Sequence, residues 1–238
     1  NGIDSVHFRK FNTMDNGQLW EVQEKYVRKI VRELNPYGNI FFEIQNEPWS
    51  DNPHLAKTIM TDTLTHPYAW QKLVEEANEA STLWQRNIAE LIVDEESKLP
   101  NRHLIAQNIS NYGMVIENPN PAVSIFNFHY AYPDAASENV VLNKVIGLDE
   151  TGFMPHNDFI YRSEAWKFIL SGGALYNNLD YSFTVGNEDG TYLIDNVTPG
   201  WGGISYRKQL ATLRDFMNGF DFISMKPDKV SFALNGGT

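Results

Sequence analysis

Two apolar runs in this chain end in a carboxylate. The first, Asn39-Ile40-Phe41-Phe42-Glu43-Ile44-Gln45-Asn46-Glu47, breaks at Pro48-Trp49; the second, Val145-Ile146-Gly147-Leu148-Asp149-Glu150, breaks at Thr151-Gly152-Phe153. A buried parallel strand reads as a near-continuous apolar run. A carboxylate at its C-terminal end stands where parallel-barrel enzymes place their chemistry. Two such carboxylates facing one pocket suit cleavage of a glycosidic bond: one carboxyl protonates the leaving oxygen while the other, ionised, attacks. Held close, two carboxylates split their pKa values, because each charge opposes ionisation of the other. Glu43 and Asp149 also sit in these runs. By strand alternation Glu43 points to the side of Glu47 but deeper, and Asp149 points away from Glu150.

The elements that must position these groups alternate. Leu19, Val22, Tyr26, Ile30 and Leu34 recur at helical spacing, and Asn35-Pro36-Tyr37-Gly38 stops that helix. A strand over 39–45 follows. Trp70, Leu73, Val74, Ala77, Trp84, Ile88, Leu91 and Ile92 predict one long helix from about residue 70 to 97. Further strands are expected over 103–109, 123–129, 145–149 and 174–183, with helices over 135–143, 159–170 and 206–217. Strands alternating with helices imply βαβ units and a parallel sheet. Neither a GxGxxG nor a GxxxxGK[ST] motif follows any strand, which removes the main support for dinucleotide or P-loop chemistry.

Composition narrows the function classes. The 238 residues suit one large domain or two small ones. A formal net charge of -11 argues against a nucleic-acid footprint, which would be basic. With no cysteine there is no disulfide, thiol nucleophile or thiolate metal site. No apolar run approaches the ~18 residues of a membrane span. The chain opens Asn1-Gly2-Ile3 without Met, so a processed or trimmed N-terminus is expected. His54, His66, His103 and His156 show no metal-ligand spacing, and no metal or cofactor is expected. Asn187-Glu188-Asp189-Gly190 fails the EF-hand pattern and reads as a turn. Of the abundant aromatics most belong to the core, but sugar sites also use rings. Trp49 and Tyr132, then Tyr112 and Trp201, are the first choices to line a cleft.

Asn46-Glu47-Pro48 after an apolar strand resembles the signature of the retaining (β/α)8-barrel glycoside hydrolases, the clan that includes cellulases and mannanases, with the cellulase-like family 5 and its relatives nearest. In that clan the acid/base Glu ends strand 4 directly after an Asn, and the nucleophile Glu ends strand 7. Glu47 and Glu150 lie 103 positions apart (150 − 47), room for roughly three βα units. Phe126-Asn127-Phe128-His129-Tyr130 falls where strand 6 should be. The resemblance covers about 39–181. It implies a (β/α)8 TIM barrel of which this chain covers mainly strands 4–8. It implies Glu47 as acid/base, Glu150 as nucleophile, and Asn46 as donor to the sugar 2-hydroxyl. His129, with Tyr130 or Tyr132, would orient the nucleophile. The substrate would be a poly- or oligosaccharide, in an extracellular or periplasmic setting.

The chain also departs from that pattern. Only about 38 residues precede the first strand, whereas three βα units need roughly 90. The earlier strands, and the Arg the clan carries on strand 2, would come from an upstream segment of the same protein. The position two after His129 is Ala131 rather than Tyr, and no Trp platform ends the expected strand at 174–183. Residues 1–225 are thus expected to form the C-terminal part of a barrel, and 226–238 a linker opening a following β-domain. The competing readings are a non-catalytic carbohydrate-binding protein on a degenerate barrel and a metal-dependent barrel hydrolase.

Overall fold

A computed structural model describes residues 5–51, 53–58, 73–153 and 155–227. The expected start of the long helix at Trp70, His66, the His54 side chain and residues 228–238 of the expected linker and β-domain lie outside them. In chain order the elements are α1 (Phe8–Phe11), α2 (Leu19–Leu34), β1 (Phe42–Glu43), α3 (Pro48–Asp51), β2 (Pro53–Thr58), β3 (Leu73–Ala77), α4 (Glu79–Glu96), β4 (Ile105–Asn111), β5 (Ile125–His129), α5 (Pro133–Asn139), β6 (Val145–Glu150), α6 (Asp158–Leu170), β7 (Leu175–Tyr176) and α7 (Ile204–Asn218). None of the described helices is long and apolar enough to cross a membrane.

β1, β4, β5, β6 and β7 run parallel in that order and form a curled half-barrel sheet of five strands. The five parallel strands are what the apolar runs predict; helices lie between successive strands except between β4 and β5, which a loop joins. β2 and β3 are an antiparallel addition that the sequence does not announce. β3 joins β4 through Glu76 opposite Ser110, beyond the point where β1 has left the same edge.

Two expected elements change. The helix predicted from residue 70 begins only at Glu79, because Asn78 caps it by accepting from the Ser81 amide, and Leu73–Ala77 is a strand instead. Leu73, Val74 and Ala77 fit helical spacing, but with Glu75 and Glu76 between them they form a stretch that pairs on both sides. The strand expected over 174–183 is paired as β7 for two residues only. Its backbone continues along β6 through Asn177 N–H to Leu148 O (2.8 Å) and Leu179 N–H to Thr151 O, then leaves as a loop.

Alternation along β5 and β6 separates two faces. Phe126, Phe128, Ile146 and Leu148 are buried outward against the helices, in a core with Trp84, Ile88 and Ile92 of α4 and Phe168 of α6. Each such side chain contributes about 1.5–3 kcal/mol by leaving water. Asn127, His129 and Asp149 take the concave face. Gly147 is required there: a Cβ at this position would lie 2.1 Å from Asn127 Oδ1. At the far side, Arg28 and Arg32 of α2 grip the nearly buried Glu95 of α4 at 2.8 and 2.7 Å, which ties the helix leading into β1 to the helix leading into β4.

Candidate active site

The concave face carries a chain of polar side chains that starts on β4. Asn108 donates to Asn127 O (2.8 Å) and accepts from the Glu47 amide (2.9 Å). The side chain of Asn108 thereby holds Glu47 in an unusual backbone conformation, with φ at 43°. Positive φ is uncommon for a residue with a Cβ and persists where surroundings fix it. Tyr130, just past β5, has φ 53°, and its amide donates to Glu150 O. Both residues are thus turned off their strands at the same rim.

Four of the sequence-predicted residues converge at that rim. His129 Nδ1 lies 2.9 Å from Glu47 Oε1 and 3.3 Å from Glu150 Oε2. The Tyr130 hydroxyl donates to Glu150 Oε1 at 2.6 Å. One donor atom each from Glu47, His129 and Glu150 fall within 4.8 Å of one another. Among the described residues this is the group best placed to share a small cation. The contacts of Nδ1 also fit a hydrogen-bonded bridge, with a proton on the imidazole joining the carboxylates. Asn46 is exposed beside Glu47, and Ser50 of α3 donates to Glu47 Oε2 at 3.3 Å.

The remaining aromatic candidates take different places. Trp49 is buried, 4 % exposed, with its ring edge-on to His129 at 5.5 Å; it braces the imidazole and offers no open face. Tyr112 is buried as well, its ring 5.4 Å from that of Tyr132. The open cleft expected at these two positions is therefore filled by packing. Tyr132 and Trp201 remain half-buried. Trp201 is pinned by its indole N–H on Asp158 (2.7 Å) and by stacking on His156, and its amide donates to Gly152 O, just past Glu150.

Asp149 does not point away from Glu150. The register passes from Phe128 opposite Leu148 to His129 opposite Glu150, so Asp149 is an extra residue, a bulge that leaves both carboxylates on the concave side. Its Oδ1 lies 3.3 Å from His129 Nε2. Beside it Glu43 accepts from Asn127 Nδ2 at 3.3 Å. The signal in the sequence is a pair of successive acids closing an apolar strand. Nothing there shows that both face inward. Tyr181, whose phenol is raised by burial and by the charge of Glu150, also stands near the nucleophile candidate.

The electrostatics follow this geometry. Burial of its carboxyl and the neighbouring charge of Asp149 push Glu43 up to about 7. Asp149 is itself raised, by burial against the pull of His129. Burial opposes a charge on His129, but the bond to Glu47 and the charges of Asp149, Glu150 and Glu47 outweigh it and raise the imidazole above its ordinary value. Glu47 is correspondingly lowered, first by its bond to His129. Tyr130 is raised by burial and by its bond to Glu150, which keeps the phenol a donor.

Just beyond, Thr151 donates to Glu164 Oε2 of α6 at 2.6 Å. Tyr176 donates to the same oxygen at 3.3 Å and lies 2.9 Å from the Tyr206 hydroxyl of α7. Glu164 thereby ties the residue after Glu150 to two helices. No protein-family profile and no curated protein sequence matches this chain.

Proposed function

We propose that this chain carries the carboxylate pair of a retaining β-glycoside hydrolase, on a (β/α)8 barrel to which β1 and β4–β7 contribute strands 4–8. One observation supports this above the others. Glu47 and Glu150 come from the C-terminal ends of β1 and β6, more than one strand apart, and present oxygens within 4.8 Å of each other. A separation of ~5–5.5 Å suits a covalent glycosyl-enzyme, whereas an attacking water needs roughly 6.5–9.5 Å. Glu150, held by Tyr130 and His129, would attack the anomeric carbon. Glu47 would protonate the leaving oxygen and later activate water. His129 Nδ1, 2.9 Å from Glu47 Oε1, would pass that proton to Glu47 as the glycosidic oxygen arrives. Asn46 would donate to the sugar 2-hydroxyl, and Tyr132 and Trp201 would flank the sugar.

The test is hydrolysis of aryl β-glycosides by the complete protein. Glu150→Gln should abolish turnover. Glu47→Ala should spare substrates with good leaving groups, which need little protonation in the first step, and azide should partly restore it by attacking the intermediate. NMR of the first-formed sugar should show retained configuration. An inverted product would overturn the mechanism. Binding of oligosaccharide without any turnover would leave a carbohydrate-binding protein.

A further inference from the structure

His129 has a carboxylate near each ring nitrogen. Nδ1 faces Glu47 and Glu150, and Nε2 faces Asp149, with Tyr130 and Trp49 edge-on to the ring. A neutral imidazole donates from one nitrogen only. With carboxylates facing both nitrogens, a neutral ring must turn a lone pair toward one of them, and only the imidazolium donates to both sides.

We infer that Asp149 is a positioning residue. Placed on the concave face by strand alternation, its carboxylate faces Nε2 of His129 at 3.3 Å and favours the imidazolium, in which Nδ1 donates between Glu47 and Glu150. The geometry needs each part. The bulge brings Glu150 to the concave face beside Asp149, so that both acids face the ring. Glu43, which accepts from Asn127 beside the space left by Gly147, adds a further carboxyl next to Asp149. Only the consequence for turnover rests on the glycosidase reading; the hold on His129 does not.

The experiment is nitrogen NMR of the His129 ring in the complete protein, paired with pH profiles of aryl glycoside hydrolysis. In wild type both ring nitrogens should be protonated at pH 7. Asp149→Asn removes a charge that favours every proton in the cluster. The His129 titration and the alkaline limb of kcat/KM should both move down by about one pH unit. Glu43→Gln, which keeps a donor toward Asp149, should leave both in place below pH 7. A bare Nδ1 at pH 7 in wild type overturns the inference, whether or not the variants fold. So does an Asp149→Asn protein whose His129 titrates as in wild type. A general fall in kcat with an unmoved limb would make Asp149 structural only. If no glycoside is hydrolysed, the glycosidase reading fails while the NMR result still decides the role of Asp149.

Discussion

Replacing Glu164 by Gln should make the protein more stable at pH 8 and leave it nearly unchanged at pH 5. Glu164 is wholly enclosed between α6 and β7, and its hydrogen bonds come from the hydroxyls of Thr151 and Tyr176. Burial pushes its carboxyl from 4.5 up to about 8. Between these values the folded protein holds a proton that the unfolded chain releases. Stability is therefore full below about pH 4.5 and falls as pH rises toward 8, by about 1.4 kcal/mol per pH unit. Across the window this sums to about 5 kcal/mol. Gln keeps an acceptor for Thr151 and Tyr176 and cannot ionise. Even half of the loss, about 2.5 kcal/mol, corresponds to roughly 5–10 °C in a chain of this size. Thermal and urea melts of both proteins at pH 5, 6.5 and 8 measure it. A wild-type-to-variant difference that does not change with pH, or a variant less stable at pH 8, would refute the reasoning. Because Thr151 follows Glu150, activity of the variant at pH 6 should stay close to wild type.

Trp49→Ala should cost about 3–5 kcal/mol of stability as a buried truncation, while Trp201→Ala should cost less and weaken oligosaccharide binding more; melting curves and binding titrations on both variants separate the two roles. His103 is raised by its bond to Glu96, against burial. Its stabilisation should be full below about pH 6.5 and lost as pH rises through the folded value, so His103→Gln should flatten that part of the stability profile. Strong chelators should leave glycoside hydrolysis unchanged, as expected if a proton bridges Glu47, His129 and Glu150; loss of activity restored by a divalent ion would refute that.

Much of the site is legible because Glu47, His129 and Glu150 each close an apolar strand, where type and position both mark them. The sheet is legible for the same reason. Asp149 is not, because alternation presumes an unbroken ladder and a bulge leaves no mark in composition. β3 hides because a five-residue strand with Leu73, Val74 and Ala77 satisfies helical spacing until Asn78 caps the true helix. Trp49 and Tyr112 show the limit for aromatics: the sequence places them at the rim, and only packing decides whether a ring faces a ligand or its neighbours. Glu164 reads as an ordinary polar position of α6, and its role depends on Thr151 and Tyr176, which meet it only in the folded chain.

β4 lends one edge twice, first to β1 and then to β3, with Glu47 between the two pairings and its amide bound to Asn108 of β4 itself. A carboxylate suspended in this way cannot travel with a swinging lid. The orientational freedom of the Glu47 backbone is lost when the chain folds, not when a ligand arrives, so that part of the entropy of alignment does not weigh against binding. In amide exchange the Glu47 N–H should behave like a strand interior despite lying in a turn, since releasing it requires β4 to open.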